Sequence, residues 1–530
     1  MKEKFKRLIS WSVPAADRNV GDYSNKERNI FLMAMFGQNI IFGMVGNYLS
    51  FYYTSIILVP TTALLIITVI SRIWDAINDV MMGTVADRTS SKWGKFRPYL
   101  KYMPIPIMLL TITLFLPIRN WNDIIKVIFV IITWLGWETA YTLGDIPLWG
   151  VASVITPDEQ KRSKLISAAR IIGSISGVIV VVFDTIVDMF AKINIGWGTG
   201  VDRPGVDAEF YNWQQGYLFA AIAIALVGGI LFKCAFPYVR ERVIGEDVTR
   251  EEKFTDGFTQ NLKYMWKNKP FMLVMLSQVL GCTKNMVMSV GIYFCTWVLA
   301  NGGNNTLWLM MLGGSFLVPM LVSMSLATKF ERLMGKKEIS IWASYLNAIP
   351  YFAIFFVIYT FGIQTWAIVV ACVLFAVSGF LTGFVTVYPT TMVADCTDYM
   401  EWKTGKRLDG VYFSGLNFQA KLQAAITMAI TYVVFMIVNY TPIIGELSDK
   451  VQQGIIDPAT YDFVADQPKL FVALLVLITV IPAVGSILQA IPIHFYELTE
   501  KKCDEMRADL EVRRAAARED EAKAAAEKAE

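Results

Sequence analysis

Long apolar runs constrain this chain more than any other feature. Twelve of them approach or exceed the ~20 residues that a helix needs to cross a bilayer core. They fall at 30–56, 62–83, 101–118, 123–151, 165–190, 216–237, 271–299, 306–328, 341–361, 365–394, 411–439 and 469–494. Only 18% of the residues are charged, where a soluble protein carries about a quarter. Most of the 48 Lys and Arg sit in the polar stretches between runs. Backbone amides in lipid must be satisfied within the segment, so such runs fold as helices. The expected class is an all-α membrane protein with twelve transmembrane helices in two six-helix halves.

The charge pattern sets the expected layout. Basic residues crowd alternate loops, which by the positive-inside rule places both termini in the cytoplasm and the protein as a multi-pass component of the cell membrane. The expected segments are an N-terminal piece (1–28), a first bundle (29–237), a charged connector (238–270), a second bundle (271–495) and a charged tail (496–530). No cleavable leader pattern is apparent in the basic, polar residues 1–28. The end of the tail, EVRRAAAREDEAKAAAEKAE, reads as a solvated helix. The outer loops at 191–215 and 440–468 carry no interpretable motif.

Six cysteines without CxxC spacing (Cys234, Cys282, Cys295, Cys372, Cys396, Cys503) indicate neither disulfides nor a zinc site. The lone His494 leaves no histidine-based metal site.

An internal echo supports duplicated halves. GTVADRTSSKWGK (Gly83 to Lys95) follows span two, and ATKFERLMGKK (Ala327 to Lys337) follows span eight. Both run from a small residue through an acid–Arg pair to Gly–Lys. Paired six-helix halves with a substrate site between them are a transporter architecture.

Charges inside the spans point to that site. A charge at a helix centre costs about 2.5–3.5 kcal/mol on insertion scales, so each needs a partner or a water-filled cavity. On span two, Arg72, Asp75 and Asp79 fall within about 60° of one another. On span four, Glu138, Thr142, Asp145 and Trp149 share a second stripe (i, i+4, i+7, i+11). Arg170, Lys284 and Lys421 add charge on spans five, seven and eleven, and Gln38 and Asn39 are polar within span one. Paired carboxylates with hydroxyl and amide oxygens suit Na⁺, Li⁺ or a proton; Asp75, Asp79, Thr142 and Asn78 supply such groups. Asp145, Arg170, Lys421 and Trp149 are of the kind that bind sugar hydroxyls and stack on a sugar ring.

RIWDAINDVMMG…SKWGKFRPY resembles the signature of the glycoside–pentoside–hexuronide:cation symporters, the major-facilitator branch that includes the melibiose permease. FGQN in span one, YTLGDIPLW in span four, VADCTDYMEWKTGKR after span ten and NFQAKL in span eleven extend the resemblance over about residues 29–495. It implies a monovalent-cation site at Asp75, Asp79 and Thr142, with Asn78 adjacent. It also implies sugar contacts from Asp145, Trp149 and Arg170, and places Lys421 near the cation. Three residues depart from the pattern. Asn39 replaces a sugar-binding aspartate, Glu138 is an added carboxylate and Lys284 an added cation, which brings an acidic sugar such as a hexuronide into view.

The expected function is therefore cation-coupled import of a sugar or glycoside by alternating access, with Asn39, Glu138 and Lys284 as further substrate-site candidates. The coupling ion is Na⁺, H⁺ or Li⁺. No cofactor, catalytic residue or nucleic-acid partner is expected, and the working unit is expected to be a monomer in the bilayer. Import of a zwitterionic, lipid-like solute is the alternative; an intramembrane enzyme is a remote one, since the large loops carry no phosphate- or metal-binding motif.

Overall fold

The structure is a computed structural model that describes residues 22–89, 91, 93–156, 158–195, 210–242, 266–303, 305–405, 409–456 and 461–527. Among these residues there are helices and no strands. Nine helices among them are long and apolar enough to cross a membrane; they correspond to spans one, two, four, six and eight to twelve. Span five is the single helix Glu159–Ala191.

Several apolar runs turn out to be broken, each for a local reason. Span three is split between Arg97–Tyr102 and Pro104–Leu114, where Pro104 starts the second piece. Proline suits a helix start because the first amides have no partner there. Span twelve is split at Thr479 into Pro468–Ile478 and Val480–His494; Pro482 lacks the amide that would bond back to Ile478. Span seven passes from Lys269–Leu280 through a 3₁₀ turn at Cys282–Asn285 to Met286–Tyr293, then a π-helical end at Phe294–Leu299. Span one ends in a second π segment, Tyr52–Ile56. Such irregular turns inside helices recur at functional sites.

The chain forms two compact units. The first comprises Met1–Thr249 with Ile292–Leu309 and Ala429–Phe471; the second comprises Arg250–Gly291, Met310–Met428 and Val472–Glu530. In the first, span one packs on spans five and six, span six on span three, and span two on span four. Spans one and six approach so closely at Gly37 and Gly228 that a Cβ on either would strike the other's carbonyl oxygen. Small residues permit this approach between membrane helices. Ordered polar contacts tie the end of span one to the segment after span eleven: Tyr440 shares hydrogen bonds with Ser55 Oγ (2.8 Å) and Trp297 Nε1 (2.7 Å). Nearby, Arg119 Nη2 lies 3.0 Å from Asp449 Oδ1. Part of the 191–215 loop falls outside the described residues, whereas Tyr440–Gln452 is a helix.

In the second unit, span nine packs on spans ten and twelve, and span seven on span twelve. Span ten is a 40-residue helix, Thr365–Thr404, that runs ten residues past the apolar run and stops at Gly405 in the left-handed region. The tail helix Glu500–Glu527 lies against it. Cys503, Met506 and Leu510 form its buried stripe, while residues 511–513 are exposed.

The internal echo has one structural meaning in both halves. Gly94 and Gly335 each take a positive φ, +114° and +80°. The Lys that follows each offers its backbone N–H to a carboxylate from beyond the end of that half. Glu241 accepts from Lys95 (2.8 Å), Phe96 (2.7 Å) and Arg97 (2.9 Å). Glu500 accepts from Lys336 at 3.1 Å. A carboxylate at free helix amides satisfies donors that have no intrahelical partner and complements the helix dipole.

Candidate functional site

Spans two and four lie side by side and run in the same direction, since Ser71 pairs with Glu138 and Trp74 with Thr139. The period of an α-helix then aligns Ser71, Asp75 and Asn78 on one face with Glu138, Thr142 and Asp145 on the other. Asp75, Asn78, Glu138 and Thr142 are all buried, and Asp79 is half-buried. Arg72 Nη1 lies 3.6 Å from Asp75 Oδ2. Glu138 Oε1 accepts from Ser71 Oγ at 2.7 Å and from Trp134 Nε1 at 3.0 Å.

Both polar atoms of the Asn78 side chain are buried without a hydrogen-bond partner among the described residues. Leaving such groups unmet costs about 1–3 kcal/mol each. Carboxylate, amide and hydroxyl oxygens in a buried crevice form the donor set that a small monovalent cation takes.

A second cluster joins spans one, four and five. Gln38 Nε2 donates to Asp145 Oδ1 at 2.7 Å and also contacts the Tyr141 hydroxyl. Tyr141 stacks between Trp137 and Phe42, with centroids 4.9 and 5.1 Å away. The Arg170 guanidinium sits 5.9 Å from the centre of the Trp149 ring, so these two expected sugar contacts do meet. Asn39, next to Gln38, points elsewhere: its Nδ2 donates to its own helix at Met35 O (2.7 Å), beside Gly173 of span five.

Lys284 and Lys421 belong to the second unit. The 3₁₀ turn of span seven carries Lys284 into a buried position, where Nζ donates to Gln278 Oε1 at 3.1 Å. The amide of Gln423, two residues beyond Lys421, bonds the Gln278 carbonyl, tying span eleven to span seven.

Gln38, Ser71 and Trp134 hold site carboxylates, yet were not among the expected site residues. Gln38 had a visible signal, a polar side chain in an apolar run. Ser71 and Trp134 had none, because serine and tryptophan are ordinary in membrane helices.

Apolar helices in two units, with charged side chains buried between spans two and four, define a multi-pass membrane protein. A family profile described as "MFS/sugar transport protein" matches residues 30–500, and the chain belongs to that family. It is 27% identical to the "Uncharacterized symporter YnaJ" of Bacillus subtilis (strain 168), over 93% of this chain and 96% of that one. It is 24% identical to the "Glucuronide carrier protein homolog" of Escherichia coli (strain K12), over 90% and 93%. A bacterial homolog of the human lysosomal transporter Spinster shares the fold at TM-score 0.59 and 13% identity, covering 90% of this chain and all of that one.

Proposed function

We propose that this transporter imports a sugar or glycoside by symport with a monovalent cation, Na⁺, Li⁺ or H⁺, as a monomer in the cell membrane with both termini cytoplasmic. The observation that carries the reading is the buried crevice of spans two and four, where Asp75 and the unmet amide of Asn78 line up with Thr142. Asp75, Asn78, Asp79 and Thr142 hold the cation. Asp145, oriented by Gln38, binds sugar hydroxyls together with Arg170, and Trp149 stacks on the ring. Glu138 in the first unit, and Lys284 and Lys421 in the second, are further candidate substrate contacts. The buried Lys284 ammonium favours a sugar bearing an acidic group, and a glucuronide carrier homolog among the relatives agrees with that class.

Coupling follows from charge. A cation at Asp75 and Asp79 neutralises the pair, which favours the substrate-loaded state, and the substrate must tighten the cation by the same factor. The test is uptake into liposomes of labelled neutral and acidic sugars under separate Na⁺ and H⁺ gradients. Asp79→Asn is expected to abolish gradient-driven accumulation. Uphill uptake that survives in this variant would remove Asp79 from the coupling site.

A further inference from the structure

Arg72 shares the crevice assigned above to the coupling ion, and its contacts leave one bond unmade. Its Nη1 stands 3.6 Å from Asp75 Oδ2, beyond the ~2.7–2.9 Å of a full charge-assisted hydrogen bond. Its Nε is buried and has no hydrogen-bond partner among the described residues.

Glu138 presents the complement across the crevice. Ser71 and Trp134 both donate to Oε1, which pins the carboxylate. Oε2 is buried and accepts from nothing among the described residues. Arg72 follows Ser71 in span two, so it lies at the level where Ser71 meets Glu138. An unspent donor on span two and an unspent acceptor of opposite charge on span four thus lie near the level where Ser71 joins the two helices, with Asp75 one turn on.

We propose that Arg72 is a built-in counter-ion that moves between two carboxylates: it holds Asp75 before an alkali ion binds, and closes on Glu138 Oε2 when Na⁺ or Li⁺ takes Asp75. The inference rests on the coupling-ion reading of Asp75 and Asp79. An ion arriving at Asp75 repels the guanidinium, and a part-buried guanidinium left without an anionic partner is destabilising. Glu138 removes that penalty, so ion binding exchanges one ion pair for another. Glu138 then acts as a positioning residue for Arg72 and need not touch the ion.

The test is calorimetric titration of the purified full-length transporter with NaCl and with LiCl, for wild type, Glu138→Gln, Arg72→Gln and the double variant. Gln at 138 keeps the acceptor for Ser71 and Trp134. Glu138→Gln is expected to weaken alkali-ion binding about tenfold, and Arg72→Gln to hold or tighten it. The double variant is expected to bind like Arg72→Gln alone, because no guanidinium remains to be re-housed. A Glu138→Gln loss that is the same with and without Arg72 overturns the inference and leaves Glu138 as a simple negative charge. Wild type that binds neither ion overturns the inference, which needs an alkali ion at Asp75, and leaves H⁺ as the coupling ion of the proposed function.

If Arg72→Gln does not fold, the Na⁺-induced infrared difference spectrum of wild type decides. The Glu138 carboxylate band, identified by its loss in Glu138→Gln, is expected to shift; a band that stays in place overturns the inference.

Discussion

Gln38 and Asn39 are adjacent in sequence but differ by about 100° around the helix, and that turn separates their roles. Gln38 faces span four and donates to Asp145, whereas Asn39 returns its amide to Met35 of its own helix. A hydrogen bond to a charged group contributes about 1.5–3 kcal/mol, so Gln38→Leu is expected to weaken sugar affinity by roughly tenfold or more. Alkali-ion affinity measured without sugar is expected to stay near wild type, and parallel binding assays check the split. Glu27 shows the same logic away from the crevice. It is buried and accepts from Arg242 Nη1 and Nη2 at 2.8 Å each and from the Arg240 backbone at 2.9 Å. Glu27→Ala leaves a buried guanidinium without its anion, which costs about 3–5 kcal/mol. A clear fall in unfolding temperature in detergent is the expected result, with the N-terminal end of span one loosened from the segment after span six.

Among the elements, the tail helix has two parts with different consequences. Its buried stripe of Cys503, Met506 and Leu510 docks on span ten, where Arg507 and Lys336 both bond Asp395, at 2.5 and 2.8 Å. Burial pushes the Cys503 thiol up to about 12, with the Asp395 carboxylate adding to the effect. The thiolate is the reactive form, so a maleimide at neutral pH is expected to leave Cys503 unlabelled. Arg507→Glu sets a second carboxylate against Asp395 and is expected to undock the helix and expose that thiol, which mass spectrometry after labelling would read. Ending the chain after Arg513 removes none of these contacts and is expected to leave thermal stability unchanged; ending it after Thr499 is expected to lower it. The glycines of the repeated loops are legible at this scale. Gly–Lys at the same place in each half marks a positive φ followed by an amide that donates to a distant carboxylate. The carboxylates that receive those amides, Glu241 and Glu500, lie more than a hundred residues further on. They could not be read from the loop itself.

For the whole molecule, coupling is a property of two sites in one chain. If cation and sugar bind as proposed, the factor by which Na⁺ or Li⁺ tightens sugar must equal the factor by which sugar tightens the ion, about 5–150-fold in typical cases. Reciprocal titrations on reconstituted protein check this equality, and Asp79→Asn is expected to bring both factors to one. The apolar runs, their helical nature and the transporter class were readable from sequence, because lipid allows few alternatives to a helix. So were the stripes on spans two and four, since a period of 3.6 residues follows from backbone geometry alone.

Other features depended on neighbours. The break of span seven that delivers Lys284, the tie between Gln38 and Asp145, and the pairing of Ser71 with Glu138 depend on which helices lie side by side and at what height. One-dimensional periodicity assigns each residue to a face of its own helix and is silent about the register between helices. That register comes from close packing at points such as Gly37 against Gly228 and from polar pairs such as Ser71 with Glu138. The sequence by itself determined that charges lie inside the membrane; only the tertiary structure decided which of them share a crevice, because contact between helices is a three-dimensional fact.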